Sequence, residues 1–212
     1  MLGLSSEAAA LLGASAAIGI PLVFNLIKEV CFDRRKRNAE RAYISVQLVF
    51  LLDKFAGDCE EVSWDRGFDE SGPEPDSPEY LEIQVDPPVF DMSTVKGEYK
   101  YLEPSLIYRL QSIDVELLKV KQRLREMTSN PNFGAEIMDK YILLRRELYA
   151  DVGLTVVQLS ADIRAKLKID VDHGWSSKDS LLRSKAHIWR IKSRGALRRM
   201  ERKAQIKMRL PF

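Results

Sequence analysis

Asp170, Asp172 and His173 are the one short cluster in this chain where two carboxylates and an imidazole stand close enough to hold a divalent cation. They lie in KIDVDHGW, residues 168–175, where a polar loop ending a helix calls for the same residue types. No metal is therefore assigned to them. The other histidine, His187, stands alone, and neither histidine has the HExxH or zinc-finger spacing. No GxGxxG, GxxxxGK[ST] or GxSxG occurs. Cys31 and Cys59 form no CxxC pair, and no histidine is placed by sequence to activate either. Two isolated thiols fit a reducing compartment without disulfides. The expectation is a protein that is not an enzyme and carries no cofactor.

The stronger chemistry is electrostatic. The net charge is only +2, but the charges are segregated. Residues 58–91 hold twelve Asp or Glu against Arg66, a net of −11, and residues 176–212 hold twelve Lys or Arg against Asp179 and Glu201, a net of +10. Arg183, Arg190, Arg194, Arg198, Arg199, Arg202 and Lys203 make a dense cationic stretch and are the candidate anion-binding residues. Three ligands compete for it: an anionic lipid surface, the phosphates of a nucleic acid, or an acidic protein segment, the chain's own residues 58–91 included. A solvated charged helix without a ligand explains the composition too.

These residues need elements to position them. Residues 8–27, AAALLGASAAIGIPLVFNLI, are twenty uncharged residues between Glu7 and Lys28. As a helix they extend about 30 Å, one bilayer core, and the expectation is a single transmembrane anchor. Residues 1–7 contain no Lys or Arg, which argues against a secretory signal peptide. Arg34, Arg35, Lys36, Arg37 and Arg41 follow the run, and such an excess marks the cytoplasmic flank. Residues 1–7 are then outside and the rest inside, with Arg34, Arg35, Lys36 and Arg37 at the membrane surface near anionic headgroups.

From Lys28 the helix is expected to continue as a juxtamembrane segment until Gly57 and Asp58 end it. Residues 58–103 read as an acidic, proline-containing loop; within it YLEIQV alternates like a short strand, lying across the helices or pairing with residues 89–95. After Pro104, Leu106, Leu110, Ile113, Leu117, Val120, Leu124 and Met127 recur at alternating steps of four and three, the seam of a coiled coil. A second helix, from about Phe133 to Leu167, carries Ile137, Tyr141, Leu144, Leu148, Val152, Val156, Leu159 and Ile163. The short TSNPN connection makes the pair an antiparallel hairpin over 104–169, closed into a bundle by the juxtamembrane helix. Ser176 and Asp179 have capping-box spacing and open a basic helix to about Arg209, with a thin apolar line of Leu182, Trp189, Leu197, Met200 and Ala204.

The fold class is therefore mainly α: one N-terminal transmembrane helix, a cytoplasmic antiparallel bundle with a coiled-coil hairpin, and a basic C-terminal helix. The functional expectation is a membrane-anchored scaffold or adaptor. Its partners are membrane lipid and a protein, or a second copy, met through the coiled-coil seam. A membrane-tethered nucleic-acid-binding protein is the alternative.

Overall fold

The computed structural model describes residues 6–68, 80–129, 134–169 and 176–209; the side chains of 6–23, 25, 26, 135, 136, 204 and 206–209 are outside that description. The described chain is mainly helical: α1 Ser6–Trp64, α2 Pro104–Thr128, α3 Ala135–Leu167 and α4 Ser177–Arg209, with no strand among the described residues. The packing is compatible with a helical bundle. Asp53 of α1 meets Ser160 and Arg164 of α3, whereas Ser63 meets Arg146, so these helices run antiparallel. Arg109 pairs with Asp162 at 2.7 Å and Lys166 with Glu103 at 2.7 Å, so α2 is antiparallel to α3 as well. Lys185 pairs with Asp151 and Lys192 with Glu147, which makes α4 antiparallel to α3 and parallel to α1.

The expected seam of α2 is buried at Leu110, Ile113, Leu117, Val120 and Leu124, within the chain itself. Its length matches too, because Pro104 suits a first helical turn, where its missing N–H is no loss. The α3 stripe is buried from Leu148 to Ile163. Less expected is a second buried face on α3, made by Ile142, Arg145, Arg146, Tyr149 and Ala150. At Gly153 a Cβ would lie 2.9 Å from the Leu181 side chain and 3.0 Å from Cys59 Cβ, so α1, α3 and α4 meet there at backbone distance.

Gly57 and Asp58 do not end α1, which continues to Trp64. A mid-helix glycine costs only about 1 kcal/mol. The turns beyond it bury Cys59, Val62 and Ser63 against the other helices, which offsets that cost. YLEIQV is not a strand and pairs with nothing at 89–95, where Met92–Thr94 is a 3-10 turn. It lies extended across the helices because Asp65 holds it. That carboxylate accepts the Gly67 amide at 2.8 Å, the Gln84 and Val85 amides at 3.2 Å each, and Arg145 Nη1 at 2.8 Å. Further along, the Gln47 side chain bonds both ways to the Lys96 backbone, at 2.9 and 3.0 Å. Gly97 follows at φ +126°, directly over Ile44, where a side chain has no room.

The N-terminal part of α1 leaves the bundle. Phe24, Ile27, Val30 and Phe32 are all exposed, and among the described side chains the first buried one along the helix is Ile44. Among the described residues no helix is long and apolar enough to cross a membrane, and most of the run 8–27 falls outside the described side chains.

Asp65→Ala should destabilise the protein by about 3–5 kcal/mol, because it leaves Arg145 buried and without its counter-charge. Leu118→Ala, at an exposed position of α2, should change stability by no more than about 0.5 kcal/mol. Urea unfolding of the two variants beside the parent checks both.

Candidate functional site: the cationic helix α4

Ser176 starts α4 by accepting the Asp179 amide on its hydroxyl at 3.4 Å, the first half of the expected capping box. The helix then docks through two serines and two aliphatic side chains, since Ser180, Leu181, Ser184 and Ile188 are its buried residues. The serines are satisfied by the end of α1. Ser184 Oγ donates to the Ser63 carbonyl at 2.7 Å, and Trp64 Nε1 donates to Ser180 Oγ at 3.0 Å. Arg146 Nε donates to the same Ser63 carbonyl at 2.8 Å. A helix C-terminus exposes carbonyls without intrahelical partners, and here one takes a charged donor from α3 and a hydroxyl from α4.

His187 completes this seat. Its ring lies 6.0 Å from that of Trp64, tilted 35°, and Nδ1 is 3.4 Å from Arg146 Nη2. Arg146 is always a donor, so Nδ1 accepts and the ring proton sits on Nε2. Burial pushes the His187 pKa below its ordinary 6.5, and the charges of Arg146, Arg66, Arg190 and Arg194 push the same way. The imidazole is a neutral packing group beneath a positive field.

The thin apolar line of α4 lies at the surface. Leu182, Trp189, Leu197 and Met200 are 47%, 69%, 58% and 68% exposed and face away from the bundle; Ala204 lies outside the described side chains. A stripe this narrow can dock on a bundle or lie on its surface, and here it lies on the surface, because serines that bond to a helix end are buried instead, beside Leu181 and Ile188.

All seven candidate anion-binding residues, Arg183, Arg190, Arg194, Arg198, Arg199, Arg202 and Lys203, are exposed. None of them forms an ion pair with a described carboxylate, whereas Lys185 and Lys192 of the same helix are held by α3. Arg190 and Arg194 stand close enough to His187 for their charge to be felt there. The other basic group, Arg34, Arg35, Lys36 and Arg37, is exposed on the projecting part of α1. Ser63 stands beside Ser184. Counting at 1.5 Å per residue from that level back to Arg37 and forward along α4 places Arg183 about 40 Å and Arg199 about 60 Å from Arg37. The two cationic zones lie towards opposite ends of the molecule.

The remaining candidates are quickly placed. Asp170, Asp172 and His173 lie outside the described residues, and among those described no three His, Cys, Asp or Glu side chains are grouped to hold a metal ion. Cys59 is buried, and burial, then the charge of Asp58, raises its pKa far above its ordinary 9.0, so it is not a ready thiolate. A cavity of about 370 Å³ opens between α1, α2 and α3 beside Arg41, Ser45, Leu106 and Ile163. Its charged lining is already engaged, Lys166 by Glu103 and Arg41 by the Tyr101 carbonyl.

Because His187 takes up its proton less readily folded than unfolded, its contribution to stability is complete above about pH 6.5 and is lost as the pH falls through its lowered value. The urea midpoint should therefore drop between pH 7 and pH 5 more steeply in the parent than in His187→Phe, which does not titrate. Equal slopes would mean that the seat does not sense this proton.

Comparison of the chain with protein-family models, with curated proteins and with solved structures finds no match in any of the three.

Proposed function

We propose that this chain is a membrane-anchored scaffold that holds an anionic partner on α4 and performs no reaction of its own. The observation that carries this reading is the separation of its two unpartnered zones. At one end the exposed apolar turns of α1 lead into the uncharged run 8–27. At the other, seven exposed basic residues of α4 have no described counter-charge. The run 8–27 spans the bilayer, and the basic residues that follow place residues 28–212 on the cytoplasmic face. Arg34, Arg35, Lys36 and Arg37 then lie against anionic headgroups, each worth about 1 kcal/mol near the surface. The bundle of α1, α2 and α3 acts as a spacer, and α4 is its working face.

A second reading, a membrane-tethered nucleic-acid-binding protein, is favoured by Trp189, which is 69% exposed among arginines and can stack on a base. Binding of this kind would fall steeply with salt for any sequence of nucleic acid and would vanish when residues 176–212 are removed.

Full-length protein should remain in the membrane pellet after an alkaline wash, and deletion of residues 1–27 should release it. Release of the intact chain would overturn the anchor. Deletion of residues 176–212 should leave the pelleting unchanged, since the anchor lies at the other end.

A further inference from the structure

The outward face of α4 has a pattern that simple charge does not require. Leu182, Ala186, Trp189, Ser193, Ala196 and Met200 follow one another at steps of four, three, four, three and four residues. This is the spacing of a helix–helix seam. Leu182, Ala186, Trp189, Ala196 and Met200 are exposed and Ser193 is half-buried, with exposed Leu197 alongside. The seam lies roughly opposite the docked face of Ser180, Leu181, Ser184 and Ile188. Arg183, Arg190 and Arg194 line one edge without a described counter-charge; on the other, Lys185 and Lys192 are paired with Asp151 and Glu147 of α3, and Arg199 stands beyond them. Between Ser180 and Lys203 the only acid is Glu201, against nine Lys or Arg.

We infer that this face takes an amphipathic helix of a partner protein whose seam is apolar and whose flanking positions carry Asp or Glu. The inference rests on α4 being the partner-binding face of the proposed scaffold, and its rejection of a bilayer as the occupant rests on the proposed anchor in α1. The unpaired cations Arg183, Arg190, Arg194, Arg198 and Arg199 oppose the pairing of α4 with a second copy of itself, because edge charges set partner choice in such seams. Nucleic acid would neutralise the arginines but leave Leu182 and Met200 without an apolar surface to cover. A bilayer fits less well on geometry. An interfacial helix lies in the membrane plane, whereas α4 runs parallel to α1 and carries its face from about 35 Å, at Leu182, to about 60 Å, at Met200, beyond Arg37 of that helix. An acidic helix alone meets both the apolar seam and its charged edges. Small residues at Ala186, Ser193 and Ala196 let it approach closely, with Trp189 as the central anchor.

The test uses the full chain in detergent micelles and a designed acidic peptide with leucines at four-and-three spacing and glutamates beside them. Polyglutamate of equal charge, duplex DNA and anionic-lipid vesicles serve as competitors. The peptide should bind, more weakly as salt rises. The double variant Trp189→Ser, Met200→Ser should weaken it by about tenfold or more. Both positions are exposed, so an unchanged urea midpoint will confirm that the fold is intact. Polyglutamate should bind far less tightly than the peptide. Equal binding of polyglutamate, an unchanged affinity in the double variant, or tighter binding of DNA or vesicles would each overturn the helix partner while leaving α4 as an anion-binding face. Failure of every anionic probe would overturn the proposed scaffold reading with it.

Discussion

Arg145 and Arg146 are adjacent, each about 2% exposed, and both must find acceptors inside the protein. Guanidinium groups keep their charge when buried, so their position on α3 is tolerable only if the surroundings supply oxygen atoms in the right places. The end of α1 supplies them. Asp65 faces Arg145, and the Ser63 carbonyl faces Arg146. This explains why α1 runs on past Gly57 and why it stops at Trp64. The same acceptors then organise what comes next. The second oxygen and remaining lone pairs of Asp65 gather the Gly67, Gln84 and Val85 amides, and Arg145 also donates to the Val85 carbonyl. The Ser63 carbonyl also takes the Ser184 hydroxyl, which seats α4.

The consequence is that α3, not the α2–α3 hairpin, is the axis of the fold. One side of α3 packs apolar residues against α2 and the middle of α1. The other presents two arginines and a glycine to the far end of α1 and to α4. Polar groups in such a junction have to be satisfied in fixed directions, so they specify how α1 and α4 are placed more narrowly than apolar contact alone does. The direction of α4 matters for function, because it sends the cationic stretch away from the projecting half of α1. In the proposed scaffold, this puts the charged face at the end away from the anchor.

α4 divides its two faces in an order that hydropathy alone does not give, two serines sharing the buried face with Leu181 and Ile188. Ser180 and Ser184 are inside, while Trp189 and Met200 are outside. The serine hydroxyls answer carbonyl and indole groups of α1, and a leucine in their place would strand those groups. Leu181 and Ile188 are buried beside the serines, while Leu182, Trp189, Leu197 and Met200 are left at the surface among arginines. That arrangement is costly for a helix with no ligand and useful for one that has a ligand of matching shape and charge.

Much of this was legible in the chain itself. Local chemistry announced where α2 and α4 begin, because Pro104 and Ser176 act within a few residues of themselves, and the composition of TSNPN announced that α2 and α3 are separate helices. The four-and-three stripe of α2 and most of the α3 stripe named their buried residues in advance, since apolar periodicity is set by helix geometry alone. The seven basic residues of α4 and the four of α1 were also evident, because a charge run that finds no counter-charge stays exposed. Only the tertiary structure decided the length of α1, the burial of Arg145 and Arg146, the extended course of YLEIQV and the face on which α4 docks. Each of these depends on an acceptor or donor from another part of the chain. Asp65 and Arg145 are eighty residues apart and Ser63 and Ser184 more than that, and no local pattern in either segment declares such a partner.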